Sequence, residues 1–465
     1  MPKLTFLGAA GNVTGSRYLF EDTKTQLLVD CGLYQERDFQ ERNWHPAPLE
    51  PSAIEAVFLT HAHIDHCGLL PKLVRDGFNG PVYATDATLE MAEVMLLDSA
   101  RIQEEDADYK KRRHTREGRR GKTPHPEEPL YTVEDAMACL PLFRPVERNK
   151  PLKLNGITAT LFDAGHVMGS AMVFLEFESG GRKRSICFSG DIGRPGRLLQ
   201  NAPDSPTGPD YLVVESTYGD REHPPAEEVK QKLIDTIRDT VRRGGNVVIP
   251  AFALERTQEL LFYLKGMFHS GDIPRLPVFV DSPMATKLTE VFSRHPELWG
   301  GDIEDYKKGS PFAFPGLTFI GSAADSRAIA KKKGTSIIIA GSGMATGGRI
   351  KHHLVNNISR SDATILFVGY QARGTLGRAI VNGVSPVRIL GQEYDVKAKV
   401  VQLQGLSAHA GRSELLDWAS AFSRPPRHVF VTHGEESAAT AFADELNRRT
   451  GWPVTAPEYR QSFEL

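Results

Sequence analysis

The sequence predicts an α/β protein built from more than one domain, and three observations carry that expectation. Short β-branched apolar runs fill the first 60 residues, from about residue 211 strands alternate with amphipathic helices, and His and Asp residues collect where strands end. A length of 465 residues allows two to four domains. Lys and Arg total 56 against 58 Asp and Glu, a formal charge of −2, so a polyanion would have to be gripped by a local patch. No apolar run reaches the ~18 residues of a membrane span, and the opening residues carry no charged leader before an apolar stretch. A cytoplasmic protein with no membrane partner is expected. Four cysteines without a Cys-x-x-Cys pair do not form a disulfide framework and are expected to be buried small hydrophobes.

The elements follow in order. Residues 3–7, 17–20, 26–29 and 56–59 read as strands separated by Gly and Asn turns, and 87–113 changes to helical spacing. Strands resume at 157–162, 171–177 and 185–188. Residues 201–209, rich in Pro, Asp and Gly, read as a linker, which puts a boundary near 200. Beyond it, strands at 211–214, 246–249, 278–280, 336–340 and 363–368 alternate with helices at 225–242, 254–268 and 347–357, the pattern of a mostly parallel sheet. The last stretch gives strand 400–403, helix 412–422, strand 428–432 and helix 436–448. The expected division is 1–200, 201–395 and 396–465.

The strand Ala56 to Thr60 runs into His61-Ala-His63-Ile-Asp65-His66, four metal-capable side chains in six residues. Alternate residues of an extended chain share a face, so His61, His63 and Asp65 point one way and a turn into a helix brings His66 round. Neutral imidazole and carboxylate suit Zn²⁺, and one such segment can serve two ions. Further acids and histidines stand at strand ends: Asp30, His166 in Asp163-Ala-Gly-His166, Asp191 in Ser189-Gly-Asp191, and His433, 242 positions beyond Asp191. A gap of that length holds a complete inserted domain.

The His-x-His-x-Asp-His segment after a strand resembles the mark of the metallo-β-lactamase superfamily. The resemblance implies an αββα sandwich of two sheets between helices, two Zn²⁺, and a ligand set of His61, His63 and His166 for one ion and Asp65, His66 and His433 for the other. Asp191 would be shared and Asp30 would support the ligands. Within the superfamily the sequence is similar to β-CASP nucleases such as ribonuclease J, which carry an inserted α/β domain. Val213-Val-Glu215-Ser-Thr matches that group's first acidic motif, Ser407-Ala-His409-Ala its second, and His433 its third, a histidine in RNA-directed members. The similarity implies a zinc-dependent ribonuclease acting on single-stranded RNA, as an endonuclease, a 5′-to-3′ exonuclease or both, and a monomer or homodimer. Phosphodiester hydrolysis needs a nucleophile, neutralisation of the phosphate and a proton for the leaving oxygen; His409, oriented by Glu215, is the expected acid. Without the family, Glu215 and His409 read equally well as a structural pair.

Gly341-Ser-Gly343-Met-Ala-Thr346-Gly347-Gly348-Arg349 follows a strand and opens a helix, so its N–H groups can cradle phosphate. Its spacing fits neither the dinucleotide fingerprint nor a Walker loop, and no nucleotide cofactor is expected. Ser282, Arg373 and Arg378 are further candidate RNA contacts. Between 110 and 122 stand eight Lys or Arg against Glu117 alone, readable equally as an RNA guide or a solvated loop. The competing functions are a non-catalytic RNA-binding scaffold of the same architecture and a small-molecule metallohydrolase.

Overall fold

The computed structural model describes residues 1–117, 127–197, 199–300, 310–372 and 374–465. These form two compact units: 1–222 together with 409–465, and 223–408.

The first unit holds two seven-stranded sheets. One runs Ser462–Glu464, Lys3–Phe6, Tyr18–Glu21, Gln26–Val29, Ala56–Phe58, Val82–Ala84, Phe143–Pro145; the other runs Val454–Thr455, His428–Thr432, Tyr211–Glu215, Arg182–Phe188, Ala171–Ser179, Ile157–Asp163, Leu152–Leu154. Alternation along the strands decides which side chains meet. Phe6, Phe20 and Phe58 from the first sheet and Leu161, Val173, Phe188 and Phe430 from the second make one buried layer between the sheets. The opposite set, Leu28, Val57 and Leu59, packs with Leu70, Leu73, Leu89 and Leu96 of helices Leu70–Arg75 and Asp86–Glu117. On the far side of the second sheet, Leu212, Val214, Val429 and Val431 pack with Leu415, Trp418 and Phe442 of helices Arg412–Ser420 and Glu436–Thr450. The layers are therefore helix, sheet, sheet, helix, as the sequence implied.

The second unit is built on an all-parallel six-stranded sheet in the order Leu317–Phe319, Val278–Asp281, Ile337–Ala340, Val247–Pro250, Thr364–Phe367, Lys399–Gln402, with a separate antiparallel pair Val387–Ile389 and Gln392–Tyr394. Its central strands are buried at every position, as a sheet covered on both faces requires. Helix Ala226–Arg243 presents Val229, Leu233, Ile234 and Ile237 inward, and Gly244, at φ 76°, stops it in the left-handed conformation.

Two strands lie differently from the sequence-based division. Tyr211–Glu215 belongs to the first unit, pairing in parallel with both Arg182–Phe188 and His428–Thr432, so the chain leaves that unit at 222 rather than near 200. Lys399–Gln402 pairs with Thr364–Phe367, and the return falls at 408 rather than 395. Strand runs show which segments pair with something; they do not show with which sheet. Truncating Phe188, 1% exposed between the two sheets, is expected to cost about 3–5 kcal/mol. Urea unfolding of Phe188→Ala at neutral pH measures it.

Candidate metal centre

Six side chains of the site in the first unit stand at or just beyond the end of a strand. Asp30 follows Gln26–Val29, His61 follows Ala56–Phe58, His166 follows Ile157–Asp163, Asp191 follows Arg182–Phe188, Glu215 ends Tyr211–Glu215 and His433 follows His428–Thr432. His63 caps the short helix Ile64–Cys67, which carries Asp65 and His66. Backbone bonds lace these turns together: Cys31 N–H donates to His66 O (2.7 Å), Ser16 N–H to Asp65 O (2.9 Å) and His433 N–H to Ala9 O (2.7 Å). Gly32 is required here, because a Cβ would lie 1.7 Å from Asp65 O. Asp30 and His433 both have positive φ, 60° and 50°, a conformation that non-glycine residues adopt at a cost and that the surrounding bonds hold in place.

At the centre, the Asp191 carboxylate is 2% exposed and faces five histidines. Its Oδ2 lies 3.4 Å from His61 Nε2, 3.4 Å from His166 Nε2 and 3.8 Å from His409 Nε2. Its Oδ1 lies 3.3 Å from His66 Nε2 and 3.5 Å from His433 Nε2. The histidines on the two sides pair further: His61 Nε2 is 2.9 Å from His63 Nδ1, and His66 Nε2 is 3.0 Å from His433 Nε2, which also stands 3.6 Å from Asp65 Oδ2. One carboxylate thus separates two groups of donors, His61, His63 and His166 on one side and Asp65, His66 and His433 on the other, each able to hold a cation.

The donor set fits metal better than hydrogen bonding. Asp30 takes the Nδ1–H of His66 on Oδ2 at 2.8 Å and the Thr60 N–H on Oδ1 at 2.8 Å, which turns the Nε2 lone pair of His66 inward. Thr217 Oγ1, 2.9 Å from His433 Nδ1, does the same for His433. Two inward lone pairs 3.0 Å apart repel unless a proton or a cation lies between them. Nitrogens sharing one zinc at ~2.0–2.1 Å stand roughly 3.3 Å apart. His166 is buried with neither ring nitrogen hydrogen-bonded, and Asp191 Oδ1 likewise has no hydrogen bond. Burial followed by neighbouring imidazoles pushes His61 and His166 well below the usual histidine value, and burial takes His63 down to about 4, so these three are neutral and ligand-ready. Against burial, His433 and His66 hold the Asp65 carboxyl down at about 2.

Glu215 and His409 form a second layer on the same carboxylate. Both Glu215 oxygens lie 3.0 Å from His409 Nδ1, and the Glu215 side chain is fixed by the Ile192 N–H at 2.7 Å. His409 is partly buried, which works against its charge, yet Glu215 and then Asp191 raise its pKa to about 9, so the ring carries its charge at neutral pH. All four cysteines are buried and free; burial pushes the Cys31 thiol up to about 11, which leaves it neither ligand nor nucleophile. Thr60 and Thr217 were absent from the sequence-based set. Thr60 Oγ1 lies within 3.3 Å of Asp30, His61 and His66 at once, and its position directly before His61 was the available signal.

The proposed RNA contacts lie in the second unit, at the carboxyl ends of its parallel strands. Gly347 and Thr346 line an open turn, Thr346 N–H bonding Ser342 Oγ at 3.1 Å; Gly343 packs against Phe252, and Gly348 at φ 73° leaves no room for a Cβ beside Gly341 O. Ser282 caps helix Pro283–Arg294, accepting the Ala285 N–H. Arg378 is exposed on helix Leu376–Val381. Arg349 also braces the loop: its guanidinium donates to Asp281 Oδ1 (2.7 Å), Ile320 O (3.1 Å) and Gly321 O (2.9 Å). The helix after the loop begins at Ile350, not 347, because the two glycines are spent on the turn. Arg373 and positions 118–122 of the basic run lie outside the described residues; Lys110, Lys111 and Arg112 are exposed on the end of helix Asp86–Glu117.

Comparison with known proteins agrees with this geometry. Residues 10–251 match the metallo-beta-lactamase superfamily, 257–380 the Beta-Casp domain, and 393–457 the Zn-dependent metallo-hydrolase RNA specificity domain. The chain belongs to the metallo-β-lactamase superfamily and, within it, to the β-CASP group of RNA-processing nucleases, which are metal-dependent hydrolases. It is 36% identical over 444 residues to Ribonuclease TTHA0252 of Thermus thermophilus, covering 95% of each chain. It is 31% identical over 459 residues to Transcription termination factor FttA of Methanocaldococcus jannaschii, covering 96% of this chain and 69% of that one. In fold alone it resembles a protein of unknown function from Enterococcus faecalis V583, with a TM-score of 0.55 at 12% identity over the whole of both chains. No helix among the described residues is long and apolar enough to cross a membrane.

Two outcomes are expected. Asp30→Ala removes the acceptor that orients His66 and should lower zinc affinity ~10–100-fold in a chelator competition assay. Asp281→Asn weakens the ion pair with Arg349 and the hydrogen bond with His353, 2.6 Å away, and should cost about 2–4 kcal/mol in urea unfolding at neutral pH. These partners hold the Asp281 carboxyl, despite its burial, below its ordinary value. The contribution is therefore full above the unfolded pKa of about 4 and lost as pH falls through the lower folded value.

Proposed function

We propose that the protein hydrolyses phosphodiester bonds of single-stranded RNA as a two-zinc ribonuclease, with His61, His63 and His166 on one ion, Asp65, His66 and His433 on the other, and Asp191 on both. The observation that carries this reading is the Asp191 carboxylate, each oxygen turned to a different group of histidines, with His409 approaching the same carboxylate from the Glu215 side. Two bound Zn²⁺ would supply hydroxide at a pKa of ~7 and neutralise the phosphate between them.

The remaining chemistry is carried by the chain's own residues. Asp30 and Thr60 fix the tautomer and tilt of His66, and Thr217 those of His433. Glu215 keeps the Nδ1–H of His409, so the proton available for transfer is the one on Nε2, the nitrogen nearest Asp191. That proton goes to the departing 3′ oxygen as the P–O3′ bond breaks. The products are a 5′-phosphate on one fragment and a 3′-hydroxyl on the other. A pKa of about 9 keeps His409 charged and able to donate at neutral pH. The names of the matched relatives, a ribonuclease and a transcription termination factor, and of the matched RNA specificity domain support RNA as substrate. Unpaired buried thiols accord with a reducing cytoplasm.

Metal analysis with digestion of 5′- and 3′-labelled RNA tests the reading. His409→Ala should keep wild-type zinc content and slow cleavage by ~10² or more. Full activity in that variant would remove the acid role, and unchanged cleavage after exhaustive chelation would sink the metal mechanism.

A further inference from the structure

His66 and His433 each have a residue behind the ring, Asp30 and Thr217, that fixes which nitrogen looks inward. Among the described residues His166 has none: both of its ring nitrogens are buried without a hydrogen bond. Its aim must come from the turn that carries it, residues 163–170.

That turn is closely bonded. Asp163 Oδ1 takes the Gly165 N–H (2.9 Å), Gly193 N–H donates to Ala164 O (2.8 Å), and Ser170 Oγ takes both the His166 N–H (3.1 Å) and the Val167 N–H (3.2 Å). Gly165 is needed at φ 63°, where a Cβ would lie 2.7 Å from Asn201 O. Asp163 and Ser170 are tied together by one side chain. Arg148 Nη1 pairs with Asp163 Oδ2, and Arg148 Nη2 donates to Ser170 O at 3.0 Å.

Arg148 comes from the other sheet. It stands three residues beyond Phe143–Pro145, the edge strand of the first sheet, whereas Asp163 ends a strand of the second. The backbone around it is anchored by the Val146 N–H on Ala84 O (2.8 Å) and the Asn149 N–H on Leu161 O (2.8 Å). Guanidinium and carboxylate are 17% and 14% exposed, so the pair is largely shut off from water. Such a pair adds little net stability over apolar groups of the same shape, but removing one partner leaves the other charge unbalanced. Here that charge would be Asp163, whose backbone N–H already donates to the Asp204 carboxylate at 2.9 Å. A forked guanidinium also fixes the spacing of its two acceptors, which a point charge does not.

We propose, resting on the two-zinc reading of the centre, that Arg148 is a positioning residue for the His166 ligand. Through Asp163 and Ser170 it aims that imidazole and sets the affinity of the ion held by His61, His63 and His166. The ion of Asp65, His66 and His433 depends on Asp30 and Thr217 instead.

The test strips the full chain of metal and titrates it with Zn²⁺ in competition with a chelator. Arg148→Ala should weaken one of the two ions ~10-fold or more and leave the other within about twofold. Crystals grown at limiting zinc identify that ion: the zinc-edge anomalous peak beside His166 should fall relative to the peak beside His433. Arg148→Lys keeps the charge but reaches only one acceptor, so it should show a smaller loss of the same ion, and it carries the test if the alanine variant does not fold. A wild type that binds fewer than two ions removes the two-zinc reading and the proposal with it. Two ions in the wild type, with both affinities unchanged in the variants, both weakened equally, or the loss confined to the ion beside His433, overturn the positioning role alone.

Discussion

A buried carboxylate ringed by histidines is an electrostatic problem that a polypeptide cannot solve alone. Asp191 is almost wholly removed from water and has five imidazoles within 4 Å, two of which, His61 and His166, are driven neutral by burial and neighbouring rings. Desolvation of such a cluster is expensive unless cations fill it, and the ligand pairs about 3 Å apart leave the lone pairs facing each other. The rest of the first unit follows from that demand. Six strand ends must arrive at one place, which two stacked sheets achieve, and residues such as Asp30 and His433 are held in left-handed backbone conformations to aim their side chains.

Orientation inside the cluster is decided one atom further out. Asp30, Thr60 and Thr217 touch the outward nitrogens and so choose which nitrogen of each ring looks inward. Glu215 performs the same service for His409, where its charge and that of Asp191 keep the ring protonated against burial. A carboxylate behind an imidazole thus recurs at His66 and His409, and the inner nitrogens differ in what they meet: His66 Nε2 faces His433 Nε2 at 3.0 Å, and His409 Nε2 stands 3.8 Å from the shared Asp191.

The second unit uses buried charge for a different purpose. Asp281, at the end of its strand, binds Arg349, His353 and Ser326, and so pins the turn between Gly341 and Arg349 to the sheet. The arginine read from sequence as a phosphate donor thus also serves as internal scaffolding. Within that turn the hydroxyls of Ser342 and Thr346 pair with each other at 3.0 Å.

Local pattern carried much of this protein. The His61 to His66 segment declared its metal chemistry because four metal-capable side chains within six residues have no other economical use, and the αββα layering followed from the family that segment resembles. The helix Pro283–Arg294 went unread, although Ser282 before a proline is a strong start signal, because its apolar face is short. What the amino-acid order fixed was residue type and local period. Only the folded chain decided partnership: that Tyr211–Glu215 joins the first unit's sheet, that Thr60 and Thr217 stand behind ligands far off in sequence, and that Arg349 spends its charge on Asp281. Hydrogen bonds and ion pairs depend on distances between segments remote in the chain, and no periodicity within a segment encodes those.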